Sequence, residues 1–260
     1  MTSYALVTGG SKGIGKAIAE CLAKKKYNLL LVARSEKLLR DVAEEINHQF
    51  NVDVKWLALD LSAPQAASEL KNWVTRNNFP VSILINNAGF GLWGNFHELS
   101  LEDQNNMLRL NVFTLVDLTW LMIPVLRLQP KSYILNTGSL AGLQAVPTLN
   151  LYAASKAMVN SFTRGLWYEL KNTNISVSLL SPGSVRTNFM DRAGLQHLQK
   201  TAEKFSMDPE EIAAIAVKGM FLGKKEIMPG FVNRFSAAMV KILPKSFIEN
   251  VTASAYKKKP

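Results

Sequence analysis

A single cysteine, Cys21, leaves the chain without an intramolecular disulfide or a thiolate cluster for a metal ion. Its neighbours at helical spacing, Ile14, Ile18 and Leu22, mark it as a packed thiol rather than a nucleophile. Histidine is scarce too, and His48, His97 and His197 show no paired metal-ligand spacing, so no metal is expected. No uninterrupted apolar run approaches the ~18–20 residues that cross a bilayer. A leader peptide is not expected, because residues 4–8 already read as a core strand. These absences point to a soluble protein of the cytoplasm. Internal repeats and low-complexity linkers are lacking as well, so the 260 residues read as one large domain. Charge of one sign is in excess, with a net +10. The basic residues are scattered apart from runs at 24–26, 224–225 and 257–259, and no nucleic-acid motif accompanies them. That excess suits an anionic cofactor or a membrane surface, while a solvated face is the ordinary reading of each short run.

What the chain does have is alternation. Short β-branched or leucine-rich runs lie at 4–8, 27–33, 54–59, 81–85, 132–137 and 175–181. Helical patterns separate them near 13–25, 36–50, 64–77, 101–128 and 151–171. Several runs are apolar almost throughout, as parallel strands covered on both faces must be. Ser100 with Asp103 resembles a capping box opening the fourth helix. Asp208-Pro209-Glu210 starts a later one, with Pro209 at the first helical position. The rhythm predicts a single-domain α/β fold: a Rossmann-type doubly wound parallel sheet with helices on both faces. The irregular stretch 184–207, following a strand, suits a substrate lid.

The loop Thr8-Gly9-Gly10-Ser11-Lys12-Gly13-Ile14-Gly15 joins the first strand to the first helix. Glycines there allow a tight turn and let backbone amides approach a pyrophosphate at a helix N-terminus. Three other readings stay open on the loop alone. Residues 10–16 nearly fit a nucleoside-triphosphate loop, but Ala17 stands where a magnesium-binding hydroxyl belongs. Residues 9–13 match the nucleophile elbow of serine hydrolases, with His197 as a conceivable base but no earlier strands to supply an oxyanion loop. A purely structural turn is the third. If the ligand is a dinucleotide, the end of the second strand selects it: Arg34 follows Ala33 where an acid would bind a ribose 2′-hydroxyl. Arg34, helped by Lys12, favours the 2′-phosphate of NADP over NAD.

Tyr152 and Lys156 are four residues apart at the start of a helix and share one face. A nearby ammonium favours phenolate, so the tyrosine can exchange a proton with a carbonyl or alcohol near neutral pH. Ser139, just beyond the fifth strand, can hydrogen-bond the substrate oxygen. A Tyr–Lys pair alone usually just covers surface, but the order of motifs narrows the reading. The glycine loop, Asp60, Asn86-Asn87-Ala88-Gly89, Asn111, Ser139, Tyr152, Lys156 and Pro182-Gly183 follow one another along the chain. This set resembles the short-chain dehydrogenase/reductase family from Thr8 to about Thr187. The resemblance implies an NADP(H)-dependent oxidoreductase that passes hydride between nicotinamide and a carbonyl or secondary alcohol. It implies a catalytic set of Tyr152, Lys156, Ser139 and Asn111, the last holding a water in a proton relay ending at Lys156. Cofactor contacts would come from Gly9, Ser11, Lys12, Gly13, Ile14, Gly15, Arg34, Asp60, Leu61, Asn87, Ala88, Gly89, Tyr152, Lys156, Pro182, Gly183, Val185 and Thr187. Within that set Asp60 would meet the adenine, Asn87 the adenosine ribose, Lys156 the nicotinamide ribose and Thr187 the carboxamide. Asp60 could instead cap the next helix, and Asn111 could be an exposed helix residue. A homodimer or homotetramer built on the fourth and fifth helices is implied by the resemblance only.

Beyond Ile227-Met228-Pro229-Gly230 the chain runs on for thirty residues, without the Asp-Gly-Gly signature of bacterial 3-oxoacyl-carrier-protein reductases. That ending is more like the branch containing very-long-chain 3-oxoacyl reductases and 17β-hydroxysteroid dehydrogenases, and implies a hydrophobic acyl-, steroid- or lipid-like ketone. Residues 1–230 then form the catalytic unit and 231–260 a helical extension of the same domain. In the extension Phe231, Val232, Phe235, Met239, Val240, Ile242 and Leu243 recur at near-helical spacing, and Pro244 breaks the pattern before Phe247, Ile248 and Val251. Packing on the core or a partner subunit is the ordinary reading. A cover over a hydrophobic site, or weak peripheral association with a membrane, is the alternative.

Overall fold

The computed structural model describes residues 3–186 and 206–256. Seven strands form one sheet, all neighbours parallel, in the order β3-β2-β1-β4-β5-β6-β7. They are β1 (Tyr4–Thr8), β2 (Asn28–Ala33), β3 (Val54–Ala58), β4 (Val81–Asn86), β5 (Ser132–Thr137), β6 (Ile175–Leu180) and β7 (Glu226–Ile227). The intervening helices are α1 (Gly13–Lys24), α2 (Glu36–Phe50), α3 (Ala66–Arg76), α4 (Leu101–Leu108), α5 (Thr114–Arg127), α6 (Asn150–Leu170) and α7 (Pro209–Phe221). Two more, α8 (Phe231–Ile242) and α9 (Lys245–Tyr256), follow the last strand. The doubly wound sheet expected from the sequence is thus the observed fold.

Strand residues alternate between two apolar layers. Ala5, Val7, Leu29 and Leu31 pack toward α1, α2 and α7 through Ile18, Leu22, Leu39, Ile46 and Met220. Leu6, Leu30 and Val32 face the other way, toward Leu70, Leu118, Met122, Leu166 and Leu170 of α3, α5 and α6. Both faces of the central strands are therefore dry, which is why they read as continuous hydrophobic runs. Each such buried leucine or isoleucine contributes about 1.5–3 kcal/mol.

The expected strands and helices start and stop within two residues of these bounds, with two additions. The two-residue β7 is too short to leave a periodic pattern. The long fourth helix is not uniform: Arg109–Phe113 between α4 and α5 form a π-helical turn. Its stretch Leu101–Arg127 has an 18-residue window of mean hydropathy 1.4, long and apolar enough to cross a membrane by those measures. Here its inward residues Leu118, Met122 and Leu126 pack on the sheet. Ser100 Oγ does accept from the Asp103 N–H (3.3 Å), as a cap should. Cys21 is half-buried, and burial raises its thiol pKa, consistent with an inert packed residue. The helices α8 and α9 break at Pro244 and bury Ala237 and Thr252, while Phe231 (75% exposed), Phe235, Ile242, Phe247 and Val251 remain exposed.

Between the sheet and its α5–α6 layer runs a buried polar ladder. Asn86 Nδ2 donates to Thr119 Oγ1 (2.9 Å) and to Asn136 Oδ1 (2.9 Å), and Asn136 Nδ2 donates to Thr163 Oγ1 (3.0 Å). It ties α5, β4, β5 and α6 together directly below the strand ends. Replacing Asn136 by Ala strips one acceptor from Asn86 and should lower the unfolding free energy by about 1–3 kcal/mol. Urea denaturation followed by circular dichroism measures this, and an unchanged midpoint would show that the ladder carries no stability.

Candidate active site

Strand β1 is flanked by β2, which follows it in the chain, and by β4, which is reached by a crossover. The loops leaving β1 and β4 diverge there and open a crevice at the carboxyl ends of the strands. Thr8 holds its edges. Its Oγ1 donates to Ile85 O (3.2 Å) and accepts from the N–H groups of Asn87 (2.9 Å) and Ala88 (3.1 Å). Gly9 then turns with φ 68°, a left-handed conformation that suits glycine. A Cβ at Gly15 would lie 2.2 Å from Gly9 O and 2.5 Å from Asn87 Nδ2, so only glycine lets the loop fold onto α1. The α1 N-terminus has no side-chain cap. Its first N–H groups suit a pyrophosphate, and the glycine cradle admits one.

The crevice deepens into a cavity of about 610 Å³. Gly9, Ser11, Lys12, Gly13, Ile14, Arg34, Asp60, Leu61, Asn87, Ala88, Gly89, Ser139, Tyr152, Lys156, Pro182, Gly183 and Val185 all line it. Two residues of the expected set stand behind the wall, and Thr187 lies outside the described residues. Gly15 is the buried packing position just described. Asn111 is buried rather than exposed. Its amide donates to Phe90 O (2.9 Å) and Ser155 Oγ (3.2 Å) and accepts from the Phe90 N–H (3.1 Å), fastening the β4 loop beside Lys156. Most of the 184–207 stretch is likewise outside the described residues. Its ends meet in a parallel bridge between Val185 and Met207 and an Arg186–Asp208 ion pair (2.6 Å).

Arg34 and Asp60 both line the cavity. Burial raises the Asp60 pKa, but hydrogen bonds from the Ser62 hydroxyl (2.7 Å) and N–H (3.0 Å) and the charge of Arg34 outweigh it, leaving the carboxyl below its usual range. Asp60 does not cap the next helix, whose N-cap is Gln65; its carboxylate instead closes the turn at Ser62 and lines the cavity. Asn87 Nδ2 donates to Thr8 O (3.1 Å), so its amide also braces the glycine loop.

Helix α6 presents Tyr152 and Lys156, both buried. The Lys156 Nζ lies 5.9 Å from the Tyr152 ring centre and donates to Thr137 O (2.8 Å). Burial lowers its pKa to about 8. Ser139 Oγ accepts from the Ala141 N–H (3.1 Å), which leaves its own proton to donate elsewhere. An apolar cluster of Met107, Val146 and Leu149, with Phe90, Leu92 and Trp93 against it, packs around Tyr152. Sequence reasoning missed Leu38 as a cavity wall, since nothing in its spacing sets it apart. It also missed Asn160, whose Nδ2 donates to Ser139 O (3.1 Å), although an asparagine on the apolar inward face of α6 was a visible signal. Ser11 sits in the cofactor-side loop, and His197, its conceivable base, lies outside the described residues.

The family model described as short chain dehydrogenase matches residues 3–197. A mouse (Mus musculus) very-long-chain 3-oxoacyl-CoA reductase is 32% identical over 222 residues, covering 84% of this chain and 69% of that protein. The rat (Rattus norvegicus) counterpart is 33% identical over 188 residues, which is 71% of this chain and 60% of that protein, under two thirds of its length. Among solved structures, a short-chain dehydrogenase from Sphingobium yanoikuyae in complex with NADPH superposes with TM-score 0.82 at 28% identity, covering 91% of this chain and 92% of its own. One from Burkholderia phymatum in complex with NAD has TM-score 0.85 at 23% identity, covering 100% and 98%, and shares the fold.

The buried Lys156 gives a stability prediction for the cofactor-free protein. Its ordinary pKa is 10.5 and its folded value about 8, so below pH 8 the fold bears the full cost of a buried ammonium. Between pH 8 and 10.5 the unfolded chain holds the extra proton, and stability from this group rises with pH. Wild type should therefore gain stability relative to Lys156→Met across that window, read by urea unfolding at several pH values. A constant difference would mean that the lysine is not desolvated as described.

Proposed function

The chain belongs to the short-chain dehydrogenase family, and from that premise we propose that it is an NADP(H)-dependent reductase of hydrophobic ketones, 3-oxoacyl thioesters first among them. An oxidoreductase acting between carbonyl and alcohol follows from the family. The single observation that carries the reading further is the cavity itself, with a glycine cradle and Arg34 at one end and Ser139, Tyr152 and Lys156 at the other. When bound there, a nicotinamide dinucleotide supplies or takes up the hydride.

The residues divide the remaining work. The loop amides and the α1 N-terminus hold the pyrophosphate, and the Arg34 guanidinium meets the 2′-phosphate. Asp60 lines the same cavity, close enough for the Arg34 charge to lower its pKa. Ser139 gives its hydroxyl proton in a hydrogen bond to the substrate oxygen and steadies the charge that develops there. Tyr152 delivers a proton to the same oxygen during reduction, and the neighbouring Lys156 ammonium favours the phenolate left behind. Phe90 on the cavity wall, backed by the apolar cluster around Tyr152, supports an apolar substrate. So does the seat of α8 and α9: Asn233 packs on Gly183, and Thr252 Oγ1 accepts from Gln144 Nε2 (2.7 Å), beside the Ser139 loop. The relatives' acyl-CoA chemistry supports the thioester class, and steroid ketones are the second candidate. We also read the exposed Phe113 and Trp120 (74% exposed) on the outer face of the long helix as a contact between two copies.

The substrate reading is tested by following NADPH consumption with 3-oxoacyl-CoA thioesters of short and long chain, steroid ketones and simple ketones. Long-chain thioesters should be reduced fastest, and reduction of simple ketones alone would overturn it. For the cofactor, Arg34→Asp should weaken NADPH binding about tenfold or more and leave NADH unchanged or tighter, because it repels a 2′-phosphate and can accept from a 2′-hydroxyl. Fluorescence titration of both nucleotides measures the ratio. An unaltered ratio removes Arg34 from the site.

A further inference from the structure

The loop carrying Ser139 is anchored at one side chain that the family motifs do not mark. Tyr152, Lys156 and Asn160 succeed one another at four-residue steps, so a single inward stripe of α6 bears all three. Asn160 is 3% exposed, and its Nδ2 donates to the Ser139 carbonyl (3.1 Å), which also accepts from the Gly142 N–H (3.1 Å). Two glycines close around it. A Cβ at Gly138 would lie 2.0 Å from Asn160 Oδ1. One at Gly142 would lie 2.5 Å from the Lys156 carbonyl carbon and 2.7 Å from Asn160 Nδ2. The loop is therefore pressed onto the helix at the level of Lys156 and Asn160, with the asparagine amide between its two glycines. Asn160 Oδ1 is buried with no hydrogen-bond partner among the described residues. An unsatisfied buried amide oxygen is costly, and an apolar residue would avoid that cost. The amide is there for its donor.

We propose that Asn160 is a positioning residue for Ser139, setting the serine hydroxyl at a fixed height above the same helix that carries Tyr152 and Lys156. The other loop contacts leave this freedom open. The Gly138 N–H reaches Leu180 O (2.8 Å) and the Leu140 N–H reaches Pro182 O (3.1 Å), tying the loop to β6 and the segment after it. Among the described residues, only the Asn160 bond ties the serine's own backbone to α6. The inference rests on the reading that Ser139 binds the substrate oxygen, and it extends that reading to what holds the serine in register with the proton donor.

The test is a double-mutant cycle on kcat with the fastest-reduced 3-oxoacyl-CoA: Ser139→Ala, Asn160→Ala and the two combined. Asn160→Ala should lower kcat by about 10- to 100-fold, as misplacement of a reacting group by an ångström does, with the NADPH affinity kept. In the Ser139→Ala background the same change should alter kcat by less than about twofold, because there is no hydroxyl left to place. Gly142→Ala, which pushes the loop off α6 from its other side, should show the same loss and the same non-additivity. It takes the place of Asn160→Ala should that variant fail to fold. Losses that multiply in the double variant would overturn the proposal and leave the Ser139 reading standing. A Ser139→Ala enzyme with undiminished kcat would overturn both.

Discussion

The crossover from β3 to β4 forces two loops that leave the sheet in opposite directions to share one line of strand ends. Between them the backbone cannot be closed by sheet hydrogen bonds, and Thr8 supplies the missing ties. One hydroxyl donates to β4 and accepts two N–H groups from the residues that follow it. With those groups satisfied, the loops can stand apart and leave a cavity rather than collapse. The glycine loop, the brace from Asn87 and the close approach at Gly15 all depend on that separation being fixed.

The Tyr152 end of the cavity obeys a second constraint of the same kind. Tyr152 and Lys156 come from one helix and Ser139 from a loop after β5, so their register is set by how that loop docks. The buried ladder Asn86–Asn136–Thr163 locks β4, β5 and α6 into one block. The Lys156 ammonium reaches across the block to the Thr137 carbonyl. Desolvating it lowers its pKa, which makes the charge easier to lose but also strengthens its effect on a neighbouring phenol through a weakly screened interior. Stability and chemistry thus meet in one buried cation.

Much of this was legible in the sequence because the central strands are dry on both faces and the helices amphipathic. The loop Gly9–Gly15, Arg34 and the Tyr152–Lys156 pair could be located by spacing along a strand or helix alone. What escaped reading was tertiary. A two-residue strand such as β7 has no period. The π-helical turn at Asn111 keeps an ordinary helical pattern of apolar residues, so nothing announces that its amide will pair with the backbone of Phe90. Asp60 was ambiguous between a helix cap and a ligand because both roles use the same carboxylate, and the fold uses it for the turn at Ser62 beside the cavity, not for the helix cap. Asn160 was passed over because its partner, the Ser139 carbonyl, is twenty-one residues away and is a backbone atom.

In the proposed mechanism the Tyr152 phenol alone moves the proton on the substrate oxygen, while Ser139 and Lys156 stabilise the charges that this creates. Tyr152→Phe removes that oxygen and keeps the ring that packs against Met107 and Val146. Single-turnover reduction of a long-chain 3-oxoacyl-CoA, with NADPH affinity titrated in parallel, tests it. The account predicts a rate lower by at least about 10²–10⁴-fold with NADPH binding nearly intact. A variant that kept more than half of the wild-type rate would contradict it.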